Sequence, residues 1–222
     1  MVALAARPPS AGALRVQPER GPGAAGLARR LHVTGYWFRD PDPAWTLPPA
    51  LAAFLAAGGA PVYLGFDSMP DADPAGLVAA LVGGARRAGH RMVLHSGWSR
   101  LGATGLLDDD VLVIDDVPHS LLFPRMAAVV HHGGAGTTAA ALRAGVPAVV
   151  IPLFADQFFW GRRVAALGAG APPIARERLT DARLGAALAV ASGRRDGARR
   201  IAAELAAEDG VATAIAVLEA VL

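Results

Sequence analysis

The sequence has no cysteine, which removes disulfides, thiolate nucleophiles and sulfur-ligated zinc from the chemistry open to it. It has no lysine either. Its 21 basic residues are all arginine, set against 19 acidic ones for a formal charge of +2. With so small an excess, and no basic block interleaved with aromatics, nucleic acid is not an expected partner. No apolar run reaches the roughly 18 residues of a membrane span, and the N-terminus lacks the long apolar stretch of a signal peptide. The expectation is a protein with no transmembrane segment, working in the cytoplasm. What the chain has in quantity is apolar surface: 53% hydrophobic residues over 222 positions suffice for a large buried core.

Residues 1–30 are rich in Pro, Gly, Ala and Arg with no sustained period, and read as a linker or disordered lead-in. Residues 31–222 read as one domain. After an aromatic stretch and a run of prolines, a helix is expected over 50–57, and short apolar runs then alternate with helical stretches. The runs lie at 62–66, 91–95, 111–114, 127–131 and 148–151, with helices over 75–88, near 120–123 and over 137–143. Strands that are apolar at every position are buried on both faces, as in a parallel sheet covered by helices. The fold class expected is therefore α/β, a Rossmann-like doubly wound parallel sheet. Residues 169–174 are a candidate sixth strand, and Thr180 is a candidate helix cap, because its hydroxyl can accept from a first-turn amide.

In such a sheet ligands bind where strands end and helices begin. The strongest motif lies at one of these junctions: Val129-Val130-His131-His132-Gly133-Gly134-Ala135-Gly136-Thr137-Thr138. Glycines allow close approach of an anion to the backbone, and a helix N-terminus offers free amides and partial positive charge. The sequence builds a diphosphate cradle from these parts. The alternative is a tight strand-to-helix turn with both histidines in the core. His32, His90 and His95 have no metal-site spacing, and no metal or cofactor is implied. The arginines at 194–195 and 199–200 suit a solvated helix face.

Four further segments accompany the glycine motif: Val33-Thr34-Gly35-Tyr36-Trp37-Phe38, Gly65-Phe66-Asp67-Ser68-Met69, Asp116-Val117-Pro118-His119 and Asp156-Gln157-Phe158-Phe159-Trp160-Gly161. In order and spacing, from about residue 31 to the end, they resemble the C-terminal half of nucleotide-sugar-dependent glycosyltransferases of the GT-B fold. Sterol glucosyltransferases and the bacterial antibiotic glycosyltransferases of secondary metabolism are the nearest in kind. The resemblance implies a nucleoside diphosphate sugar, UDP- or TDP-linked, as ligand. It assigns the diphosphate to Ser68, His132, Gly134, Gly136, Thr137 and Thr138, and the base to the backbone of Val117. Trp98 either stacks near that base or packs in the interior. Asp156 and Gln157 are assigned to the sugar hydroxyls, with an ordinary helix N-terminus as the other reading.

The chain departs from that family in three places. Asp67 stands where the family usually has glycine, and Ala140 where plant members carry a ribose-binding glutamate. Residues 1–30 are too few for the N-terminal domain that binds the acceptor and supplies the catalytic base, so no catalytic residue is assigned. The expected function is the donor-binding half of an inverting glycosyltransferase acting on an acceptor hydroxyl. Its acceptor domain would be missing from this stretch of sequence or supplied by another chain. A stand-alone nucleotide-sugar-binding module without transferase activity is the alternative, and a sugar-nucleotide epimerase a weaker third.

Overall fold

The computed structural model describes residues 32–66, 72–97 and 105–220. Asp67, Ser68, Trp98 and the lead-in expected over 1–30 lie outside the described residues. Packing divides what is described into two compact units, residues 40–202 and residues 32–39 with 203–220.

The larger unit is built on a sheet of β1 (Val62–Gly65), β2 (Met92–His95), β3 (Gly105–Asp108), β4 (Val111–Ile114), β5 (Ala128–His131) and β6 (Ala148–Val150). Their spatial order is β3-β4-β2-β1-β5-β6. Every neighbouring pair is parallel except the antiparallel β3–β4 pair. Around the sheet lie α1 (Pro49–Ala56), α2 (Pro74–Arg87), α3 (His119–Leu122), α4 (Ala135–Arg143), α5 (Gln157–Ala166) and α6 (Asp181–Ser192); α7 (Arg195–Ala206) and α8 (Gly210–Glu219) follow.

Because side chains alternate across a strand, each apolar run feeds two cores. Val62 and Leu64 join Leu94, Val130 and Ile151 on the face covered by Leu77 and Leu81 of α2 and Leu184 and Leu188 of α6. Tyr63 joins Val93, Leu112, Val129 and Val150 on the other face, under Leu51 and Phe54 of α1, Phe123, and Val164 of α5. Full burial of one such side chain is worth about 1.5–3 kcal/mol, so the two layers dominate the stability of the unit. Thr180 caps α6 as the sequence suggests, its hydroxyl accepting from the Arg183 amide at 3.2 Å. Asp73 does the same for α2 through the Gly76 amide at 2.9 Å.

The expected strand at 169–174 is not one. The segment runs beside β6, with the Ala171 and Ile174 amides donating to Ala148 and Val150, but only one bridge forms, Ala148 to Gly170. Pro172 and Pro173 have no N–H to give, which stops the ladder. The sixth strand is β3 instead, joined to β4 through Asp109 and Asp110. Arg86 of α2 clamps this acidic turn, bonding Asp108 at 2.6 Å and Asp110 at 2.8 Å. These bonds hold the Asp110 carboxyl below its ordinary range.

From β1 the chain moves outward through β2 to β4, then returns to the other side of β1 for β5 and β6. The reversal lies between β1 and β5, and the crevice beyond their C-terminal ends is the binding position of a doubly wound sheet.

Glycine at position 84 is required by packing. A Cβ there would stand 2.6 Å from Cβ of Leu184, where α2 meets α6. Alanine normally outranks glycine in a helix by about 1 kcal/mol. Gly84→Ala is nonetheless expected to destabilise by about 1–3 kcal/mol through overpacking, measured by chemical denaturation. A variant as stable as the parent would contradict this helix contact.

Candidate functional site

β5 delivers the glycine motif to the crevice. Val129 and Val130 are fully buried, and His131, the last residue of the strand, is fully buried as well. Its Nδ1 accepts the Gly133 amide at 3.0 Å, closing a small ring around His132. Gly133 has φ +97°, a conformation L side chains avoid, and a Cβ there would come within 2.7 Å of Val150 and 3.1 Å of the Gln157 carbonyl. Backbone angle and space both demand glycine. Gly134 is the N-cap of α4 and offers no capping side chain. The first-turn amides of Ala135 and Gly136 therefore lack an intrahelical acceptor. His132 is nearly buried and folds back over this helix start, with its Nε2 2.5 Å from where a Cβ of Gly134 would be. Beside Gly136 there is open space.

Thr138 takes a different place. Its amide already donates to the Gly134 carbonyl at 2.9 Å, and its side chain is fully buried. The backbone donors at the helix mouth are thus Ala135 and Gly136. Ala135 lies within the motif, but its side chain gives no sign of the role because only its backbone matters.

At the next junction, after β6, Asp156 precedes α5 and is exposed. It makes no capping bond; its Oδ2 accepts from Trp160 Nε1 at 3.0 Å. Gln157 is buried, and its Oε1 accepts from the amides of Leu153 at 2.8 Å and Phe154 at 3.1 Å. This amide organises the loop that presents Asp156, and Ala155 in that loop has φ 54°. The site thereby brings Gly133 against Gln157.

Val117 lies beyond β4, where residues 112–117 with Pro48, Ala50 and Leu51 line a cavity of about 220 Å³. Two acids flank it. Asp115 accepts from the Ser96 hydroxyl at 2.6 Å, and Asp116 meets His95 Nε2 at 3.1 Å. His119 stacks on Phe123 at 4.3 Å between ring centres and faces the edge of Tyr63 at 5.8 Å, so it belongs to the aromatic packing.

His131 is held neutral. Burial pushes its imidazole from an ordinary 6.5 down to about 3, and the neighbouring His132 and His119 add to the effect. The positive character of the turn therefore comes from helix amides and dipole, with His132 as the polar side chain above them.

An uncapped helix start at the reversal point, topped by a histidine and facing open space, offers free amides where the doubly wound class of α/β fold takes its ligands. The comparisons agree with that class. Residues 79–220 match the family model "Erythromycin biosynthesis protein CIII-like, C-terminal domain". The chain belongs to that family, and is a C-terminal glycosyltransferase domain of the GT-B fold. It is 43% identical over 145 residues to a sterol 3-beta-glucosyltransferase of Arabidopsis thaliana, an alignment covering 65% of this chain and 23% of that protein. The glycosyltransferase of kitacinnamycin superposes with a TM-score of 0.64 at 25% identity, over 83% of this chain and 47% of that one. Arabidopsis thaliana UGT89C1, solved complexed with UDP, is alike in fold alone: TM-score 0.55, 18% identity, 70% and 42% coverage. The chain thus spans less than a quarter of that sterol relative and about half of the two solved enzymes. Among the described residues no helix is long and apolar enough to cross a membrane.

The neutral His131 has a consequence for acid stability. The unfolded chain takes up a proton near pH 6.5 that the folded chain refuses until about 3, so stability is complete above 6.5 and falls progressively as pH drops between these values. The slope contributed is up to about 1.4 kcal/mol per pH unit. His90 is lowered by burial in the same direction. In urea titrations between pH 7 and about 5, His131→Asn is expected to flatten the decline without abolishing it. An unchanged slope would mean that His131 is protonated in the folded protein.

Proposed function

We propose that the chain is the donor-binding half of an inverting glycosyltransferase, moving a sugar from a nucleoside diphosphate to an acceptor hydroxyl. The observation that carries this reading is the uncapped start of α4 at the sheet reversal, with His132 Nε2 over Gly134 and space open beside Gly136. A diphosphate seated there meets the amides of Ala135 and Gly136, the Thr137 hydroxyl and His132. These groups are in place before reaction and stabilise the negative charge that grows on the leaving diphosphate as the sugar departs. The acceptor oxygen attacks from the opposite face of the anomeric carbon, which inverts its configuration in a single displacement.

The other residues divide the donor between them. Asp156 offers a carboxylate to the sugar hydroxyls. Gln157, whose carbonyl is committed to its loop, offers its amide N–H groups. The cavity at Val117 is assigned to the base, and the family likeness adds Trp98 to the base and Ser68 to a phosphate oxygen. UDP or TDP is the donor nucleotide, as the family resemblance implies. The sterol glucosyltransferase likeness supports an apolar polycyclic alcohol as acceptor class. Residues 31–222 form the donor domain, preceded by a lead-in over 1–30. The acceptor wall and general base belong to a second domain, on a longer polypeptide or another chain, as the share of the relatives matched supports. Nucleoside diphosphate sugars are made in the cytoplasm, and that compartment follows for the chain.

Isothermal titration with UDP and TDP tests the proposal. One or both are expected to bind, and His132→Ala should weaken binding by about 1.5–3 kcal/mol, the range for a lost hydrogen bond to a charged group. Equal affinity in the variant would remove His132 from the site, and a parent chain that binds neither nucleotide would remove the donor reading altogether.

A further inference from the structure

His131 sits on the face of β5 shared by Val129, where Tyr63, the β1 partner of Val129, and Val150, the β6 partner of His131, are core residues. A valine would satisfy this position without desolvating an imidazole. The imidazole instead makes one hydrogen bond, Nδ1 from the Gly133 amide at 3.0 Å, while its Nε2 is buried without a partner among the described residues. An accepting Nδ1 carries no proton, so the neutral ring holds its hydrogen on Nε2. The bond spans residues i and i+2. It closes the turn as an Asx side chain closes an Asx turn, and the residue enclosed is His132.

Three constraints therefore converge on His132. The His131 ring fixes its backbone from one side. Gly133, at φ +97° with no room for a Cβ, fixes the exit of the chain. Gly134 leaves the space that the His132 ring fills. Remove the acceptor at His131 and the Gly133 amide, buried beneath the turn, loses the one partner it has among the described residues. The turn must then reorient to find another, carrying His132 away from the start of α4.

We propose that His131 is a positioning residue for the donor diphosphate: its Nδ1, as an obligate acceptor, locks the turn that aims His132 over the N-terminus of α4. The inference rests on the donor reading above. It assigns the two adjacent histidines opposite duties, one holding the turn and the other meeting the ligand.

The test compares His131→Asn, His131→Gln and His131→Leu in the full chain. Asn places an oxygen where Nδ1 stands; Gln is polar but reaches past it; Leu removes the acceptor. Two readouts are taken: hydrogen exchange of the Gly133 amide by NMR, and titration with UDP, TDP and uridine. His131→Asn is expected to keep Gly133 protected and nucleoside diphosphate affinity within about threefold of the parent. Gln and Leu are expected to expose the amide and lose at least about tenfold in UDP or TDP affinity, with uridine affinity unchanged within about twofold. Should Leu fail to fold, the Asn and Gln pair decides. Losses that follow melting temperature equally in Asn and Gln, or a fall in uridine affinity to match, would overturn the proposal and leave His131 a packing residue. A parent that binds UDP or TDP alongside Gln and Leu variants that bind as well would also overturn it. A parent that binds neither nucleotide overturns the donor reading instead, and Gly133 exchange then reports separately whether His131 holds the turn.

Discussion

The constraint on which the rest depends is that five parallel strands are buried on both faces. A strand such as β1, with Val62, Tyr63 and Leu64 all at 1% exposure or less, has no side left for chemistry. Polar function is pushed to the strand ends, and the C-terminal end is where helices begin and present free amides. The reversal between β1 and β5 opens the crevice at that end, and the glycine turn after β5 lines it. Packing, topology and the free amides at the crevice are thus consequences of one arrangement.

The turn itself shows how an apolar scaffold carries a polar site. Burial makes His131 neutral, and neutrality is what lets its Nδ1 accept the Gly133 amide. His132, one residue on, leaves the strand alternation and reaches the helix start. Gly133 and Gly134 are glycine for separate reasons, the first for its backbone angle and its closeness to Val150, the second for the ring of His132. Gln157 serves likewise from below, spending its carbonyl on Leu153 and Phe154 so that Asp156 stands at the surface.

Much of this was legible in the sequence, for physical reasons. The runs at β1, β2, β4, β5 and β6 are apolar at nearly every position, which only a doubly covered parallel strand requires. β3 was not legible, because it is a short edge strand whose partner is reached through an acidic turn, and the arginine that neutralises the turn lies on a distant helix. Residues 169–174 are apolar enough to suggest a strand, and Pro172 and Pro173 are what prevent it. The glycine motif marked the strand-to-helix turn at the crevice, but not how His131 and His132 differ within it. Alternation along β5 carried that signal: Val129 faces the core, so His131 must as well, while His132 lies beyond the strand. Backbone donors such as Ala135 leave no trace in side-chain chemistry, and the commitment of Thr138's amide to Gly134 appears only once the helix start is fixed.

The central claim is that a nucleoside diphosphate sugar binds at the C-terminal edge of β5 and β4, on the first turn of α4. Amide chemical-shift mapping of the labelled chain with UDP-glucose and TDP-glucose tests it most directly. The account expects the largest shifts at residues 132–137, with a second group at 115–117 and a third at 153–157. Shifts clustered at the opposite edge of the sheet, around Pro61 and Met126, or no shift at Gly136 and Thr137 with either sugar nucleotide, would contradict it.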